Sequence, residues 1–253
     1  MSYNSKTVNF GNLTVGDQPR VVGTFATFDS LVRFGNSSIP VCDIAEVRLD
    51  EIGTNHDWLS ACRVIEERGI PTLLTMRTVS EGGKCALSPK DLVKVFQQAL
   101  TVVSAVDVEA KSTLVEEVSK LASDAGKLTL VSYHDFKETP PLEKLKQVIE
   151  KAREHAGIVK ISTMVKSLSD IKLLQSLLDL ETSVPLCVIG MGPIGTRTRT
   201  SFPTLGSALT FGYVDIPSAP GQLPASSLVD HLRSVMAKYN EDFIGRHEVL
   251  EFV

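Results

Sequence analysis

Eight short apolar runs, each followed by a longer stretch, constrain the fold of this chain more than any single motif. The runs occupy residues 20–27, 41–49, 71–77, 102–109, 127–133, 157–163, 185–190 and 207–214. Most are rich in Val, Ile, Leu and Thr and alternate only weakly, as parallel strands covered on both faces do. The stretches between them carry helix signals. Ser88-Pro-Lys-Asp91 puts a capping hydroxyl before a proline at the first helical position, and Thr139-Pro140 repeats that device. Gly126 and Gly157 are placed to close helices at the left-handed position after the last turn. Val115, Val118, Leu121 and Ala122 form one apolar stripe; Leu142, Leu145, Val148, Ile149 and Ala152 form another. Residues 196–203 read as loop followed by something short.

Eight strand–helix units in 253 residues predict a (β/α)8 TIM barrel, as a single domain over residues 1–253. The competing architecture is an open doubly wound sheet, which usually has fewer strands and a glycine-rich turn after the first one. No such turn follows the first run here. Turn signals at Gly11-Asn12 and Gly16-Asp17 predict a β-hairpin within residues 1–16 that closes the barrel floor. Residues 241–253 suggest no particular role.

A composition of 43% hydrophobic and 22% charged residues supports a sizeable core. A net charge of −4, with no dense Lys/Arg cluster, argues against nucleic acid or an anionic membrane as partner. The N-terminus lacks the apolar core of a signal peptide and no run is long enough to span a bilayer, so the expected location is cytoplasmic. Cys42, Cys62, Cys85 and Cys187 show neither CxxC pairing nor metal-ligand spacing with histidine; they read as buried free thiols in a reducing compartment.

In a barrel of this kind, residues at the C-terminal ends of the strands face the active site. The ionisable residues within or just after the runs are Glu46, Arg48, Arg77, Asp107, Glu109, His134 and Lys160, with Arg199 in the loop after the seventh run. Glu46 and Arg48 are two apart, as are Asp107 and Glu109, so each pair points inward while Val47 and Val108 face the helices. Taken singly, each has a structural explanation: His134 as a satisfied loop histidine, Arg77 as a strand cap, Asp107 or Glu109 as a scaffold partner of Arg48. Their convergence on one rim favours a functional site, because burying so many charges costs several kcal/mol each unless they pair.

Lys160 lies in Ile158-Val-Lys-Ile-Ser162. An ammonium there loses hydration, which lowers its pKa from about 10.4 and frees the amine as a nucleophile for a carbonyl. The alternative is an edge-strand lysine with its head in water. Beside it, Arg48, Arg77 and Arg199 suit a small anionic carbonyl compound, and His134 is placed to move protons. Gly190-Met-Gly-Pro-Ile-Gly195 superficially resembles a dinucleotide fingerprint, but it follows the seventh run and contains proline; it reads as a barrel loop. No metal triad or cofactor motif is expected.

Several segments, in this order, resemble the type I 3-dehydroquinate dehydratases of the shikimate pathway. They are Glu46-Val-Arg48-Leu-Asp50, Thr75-Met-Arg77-Thr with Glu81-Gly-Gly83, and Val106-Asp-Val-Glu109. Ser132-Tyr-His-Asp-Phe136, Val159-Lys-Ile161, Gly206-Ser-Ala-Leu-Thr-Phe-Gly212 and Ser218-Ala-Pro-Gly-Gln222 complete the series. The resemblance implies a metal-free lyase of aromatic amino acid biosynthesis, usually a homodimer, that converts 3-dehydroquinate to 3-dehydroshikimate by syn elimination of water. Some members act catabolically on quinate. It implies that Lys160 forms a Schiff base with the C3 carbonyl. His134 then acts as general acid and base, oriented by Glu81, whose charge is expected to favour the imidazolium. It further implies that Arg199, rather than Arg197, grips the substrate carboxylate. Glu46, Arg48 and Arg77 would hold ring hydroxyls, with Asp107 and Glu109 behind them, and Ser218 and Gln222 would ride on a closing lid. The chain shows no fused second enzyme, so a free-standing bacterial-type member is expected. A class I aldolase and a non-catalytic carboxylate-binding barrel are the competing functions.

Overall fold

The computed structural model describes residues 6–247. An antiparallel hairpin, β1 (Val8–Phe10) and β2 (Leu13–Val15), precedes the eight parallel strands. These are β3 (Arg20–Phe25), β4 (Ile44–Arg48), β5 (Thr72–Thr75), β6 (Ala105–Glu109), β7 (Leu128–Asp135), β8 (Ile158–Met164), β9 (Leu186–Met191) and β10 (Leu209–Tyr213). Each falls inside or closely over one of the eight apolar runs. The strands pair in the order β10-β3-β4-β5-β6-β7-β8-β9. Between β9 and β10 the ring is closed by the Ala208 N–H donating to the Leu186 carbonyl at 2.7 Å, and by Val188 N–H donating to Ser207 Oγ at 3.0 Å.

The helices up to the middle of the chain are α1 (Phe28–Gly35), α2 (Leu49–Ile52), α3 (Trp58–Glu67), α4 (Pro89–Ala99), α5 (Val115–Asp124) and α6 (Leu142–Ala152). Beyond them come α7 (Leu168–Ser176), α8 (Gly192–Gly195), α9 (Thr198–Ser201), α10 (Ala225–Val235) and α11 (Ala237–His247). None is long and apolar enough to cross a membrane.

Strand parity divides the apolar residues into two cores. Val47, Val108, Val131 and Ile161 point outward into the layer shared with the helices. Ile44, Leu73, Leu130 and Ile158 point inward and meet Phe10, Leu13 and Val15 of the hairpin. The hairpin therefore plugs the floor. The bend that follows it at Gly16 has φ +108°, and a Cβ there would lie 2.1 Å from the Lys6 carbonyl oxygen. Phe10 is fully buried in this plug, so Phe10→Ala should cost about 3–5 kcal/mol, read as a lower urea midpoint. An unchanged midpoint would mean the hairpin is an ornament.

The chain end has a role that the sequence did not suggest. The α11 helix lies across the strand N-termini: the Tyr239 hydroxyl donates to Asp43 at 2.7 Å, Arg246 pairs with Asp43 and Asp242, and Arg20 pairs with Asp242. Residues 248–253 lie outside the described residues. Two expected helix ends also differ. Ser88 caps α4 as expected, accepting from Asp91 N–H at 3.2 Å. Thr139, however, does not cap α6; the helix starts later and the hydroxyl bonds Thr163 and the Met164 carbonyl, both at 2.9 Å. Gly157 does not close α6 either, which ends at Ala152. Its requirement is space, since a Cβ would lie 2.1 Å from Leu128. All four cysteines are buried and free.

Candidate active site

Above the apolar floor, the inward positions of the strands turn polar. Lys160 on β8 is only 6% exposed, and its Nζ stands 3.8 Å over the Phe211 ring. Among the described residues, the one carboxylate within 4 Å is Asp107, at 3.9 Å. Burial lowers the lysine pKa against the raising pull of Glu46 and Asp107, and Arg77 lowers it further. The amine is thus held among carboxylates but is not locked into a short ion pair with one.

His134 lies within β7, with Nδ1 2.9 Å from Glu81 Oε2. A carboxylate there holds the proton on Nδ1 and leaves the Nε2 lone pair available. Burial, followed by Arg77, Lys160, Arg48 and Lys111, holds His134 well below its ordinary pKa. Burial and these four cations oppose protonation of His134 in the resting site, so the help that Glu81 is expected to give the imidazolium belongs to the later, protonated state. Glu81 is itself pushed up to about 7, first by burial and then by Glu109, against Arg77 and Lys111.

The supporting cage is ionic. Arg77 Nη2 sits 2.8 Å from Asp107 Oδ2, and Nη1 donates to Ser132 Oγ at 2.8 Å. Ser132 in turn donates to Asp107 Oδ1 at 2.6 Å. Glu109 accepts from the Thr78 N–H at 2.8 Å and hydroxyl at 2.7 Å, which fixes the start of the loop carrying Glu81. Arg48 is held bidentately by Asp50 at 2.9 and 2.8 Å. Glu46 accepts from Thr24 at 2.7 Å and from Thr75 at 2.8 Å.

Arg199 differs from the other two arginines. It is 2% exposed and has no carboxylate within 4 Å among the described residues. Its Nε donates to the Gly221 carbonyl at 2.9 Å and its Nη1 to the Phe211 carbonyl at 2.8 Å. Burial takes its pKa down to about 10. A buried guanidinium without an anion is a binding site for one. The segment after β10 covers it: Ser218 N–H and hydroxyl both donate to Gln222 Oε1, at 2.8 and 3.2 Å, and Gln222 Nε2 donates to Thr24 at 3.2 Å.

One cavity is lined by Glu46, Arg48, Arg77, Glu81, His134, Lys160, Arg199, Ser218 and Gln222 together. Residues 24–238 match the family model for type I 3-dehydroquinase. The chain belongs to that family, whose members are hydro-lyases of the shikimate pathway. A 3-dehydroquinate dehydratase from Methanocella arvoryzae is 32% identical over 192 residues, 76% of this chain and 86% of that one. One from Methanosarcina acetivorans is 36% identical over 208 residues, 77% of this chain and 84% of its own. Among solved structures, the 3-dehydroquinate dehydratase of Geobacillus kaustophilus superimposes with a TM-score of 0.82 at 26% identity, covering 94% of this chain and 99% of that chain.

Within this type I 3-dehydroquinase the two arginines after β9 separate cleanly. Arg199 lines the cavity, whereas Arg197 is exposed and lies outside it. The glycine-rich stretch of residues 190–195 ends β9 and forms α8, and Gly195 is required because a Cβ would lie 2.5 Å from the Gly190 carbonyl carbon. Among the described residues no group of three or more His, Cys, Asp or Glu could hold a metal ion. Thr24 and Phe211 also line the cavity, though the sequence reading did not single them out as site residues. Both share inward parity with Val22 and Leu209, so counting by twos from any known inward residue would have found them.

Proposed function

We propose that this cavity dehydrates 3-dehydroquinate to 3-dehydroshikimate through a Schiff base on Lys160. The substrate carboxylate seats on Arg199, the only one of the three cavity arginines not already paired with a protein carboxylate. Lys160 attacks the C3 carbonyl, water leaves, and an iminium forms. Neutral His134 takes the C2 proton through Nε2, and the electron pair flows into the iminium to give an enamine. The enamine then expels the C1 hydroxyl, which departs as water with the proton from His134. Hydrolysis of the remaining iminium releases product and the amine.

Glu81 becomes more valuable as the reaction proceeds: it meets a neutral imidazole at rest and an imidazolium after proton abstraction, which is differential stabilisation of the later state. Glu46 and Arg48 face the ring hydroxyls, Arg77 shapes the wall with Asp107, and the Ser218–Gln222 segment excludes water. The catalytic unit is the single barrel. By family likeness the protein works as a cytoplasmic homodimer.

The observation that carries this reading is the shared cavity, in which a buried amine, a His–Glu pair and an unpaired guanidinium converge. Borohydride added during turnover of 3-dehydroquinate should fix the ligand covalently, and peptide mass spectrometry should place the adduct on Lys160. Dehydration without any trapped adduct would overturn the mechanism.

A further inference from the structure

Lys111, in the loop after β6, is not part of the cavity lining, yet it reaches the catalytic pair from outside. Its Nζ is 3.5 Å from Glu81 Oε1, 3.2 Å from the His134 carbonyl oxygen and 4.4 Å from the centre of the Tyr133 ring. Those three contacts fix a side chain that is otherwise 57% exposed. Glu81 is the only carboxylate within 4 Å of Lys111 among the described residues, and Glu81 Oε1 has no hydrogen-bond partner among them.

We infer that Lys111 is a positioning residue that keeps the Glu81 carboxylate anionic and aimed at His134, resting on the proposed roles of those two residues. The other charges around the pair do not do this. Arg77 stands 3.9 Å from Glu81 and is already shared by Asp107 and Ser132 at 2.8 Å and Glu109 at 3.5 Å. Asp107 and Glu109 are anions that oppose ionisation of Glu81, whereas Arg48 and Lys160 act on His134. Asp135, near Lys111 on the outer face, is occupied by the backbone N–H groups of Lys137 and Glu138 at 3.0 and 3.1 Å. Lys111 is thus the one cation committed to Glu81.

The sign follows from Coulomb's law. Removing a cation raises the pKa of every neighbouring group, so both Glu81 and His134 bind protons more readily in Lys111→Met. Their joint titration moves upward, and the acid limb of kcat/KM for 3-dehydroquinate should shift to higher pH by about half a unit to one unit. Lys111→Arg should restore the limb. Raising salt should move the parent enzyme part of the way, because the lysine is half in water. As a readout independent of turnover, 13C-carboxyl NMR of Glu81 should show a higher midpoint in Lys111→Met.

A purely structural lysine would instead lower activity by one factor at every pH and leave the Glu81 midpoint unmoved. Either result overturns the inference, as does failure of Lys111→Arg to restore the limb. Failure of the underlying mechanism is read separately, as absence of the borohydride adduct in the parent enzyme.

Discussion

Lys160→Ala should lose turnover of 3-dehydroquinate by on the order of 10⁴–10⁶ in kcat, the scale on which covalent catalysts fall when the nucleophile is deleted. The variant should give no borohydride adduct and should still fold. Asp107 retains Arg77 and Ser132, at 2.8 and 2.6 Å, so no carboxylate is left uncompensated when the amine goes. Lys160→Arg is the sharper control, since it restores the positive charge over Phe211 and beside Asp107 but cannot form an imine. Both variants should be equally inactive and both should still bind an anionic ligand at Arg199. Turnover by Lys160→Arg near the parent rate would reduce Lys160 to an electrostatic part.

His134→Ala should lower kcat by about 10²–10⁴, the contribution expected of a positioned general acid and base. Its signature should differ from that of the lysine variants. The amine and the Arg199 site remain, so the imine still forms and borohydride should trap an adduct on Lys160 in the absence of measurable product. Because burial and the surrounding cations hold His134 well below its ordinary pKa, its service as a base should persist below the ordinary imidazole range. On the acidic side the parent enzyme should be limited earlier by protonation of Glu81, which burial and Glu109 push up to about 7 while His134 is held down. The stabilisation Glu81 gives the imidazolium is full above that midpoint and is lost as pH falls through it. A kcat within tenfold of the parent for His134→Ala, with the acid limb intact, would remove histidine from the proton path.

These expectations drew on the sequence to different degrees. Lys160 was legible because a long cation in an apolar run has few explanations, and burial at 6% bears out its interior position. The inward aim of Glu46, Arg48, Asp107 and Glu109 was legible too, since side chains on a strand alternate. The separation of Arg199 from Arg197 rested on resemblance alone, since neither parity nor periodicity distinguishes them. Arg197 lies in the turn between α8 and α9 and Arg199 within α9, and which of them turns inward depends on how these short elements pack against the lid. The resting charge of His134 was not legible either, because only one partner, Glu81, stands out in the sequence. The outcome is set by a sum over burial and four cations from separate segments. Lys111 left no signal, for its effect arises where a loop folds back over β7.

The barrel, the inward face of each strand and the kinds of group on the rim could be read from residue order alone, because hydrophobic periodicity and strand parity are local properties. The floor plug and the chain-end helix that ties Asp43 and Arg20 together draw on residues far apart in the chain. Which charges pair, which guanidinium is left without an anion, and which titrating group is pushed up or down emerge with the folded arrangement. Electrostatic energies depend on distance and on exclusion of water, and neither quantity exists until the strands close the ring.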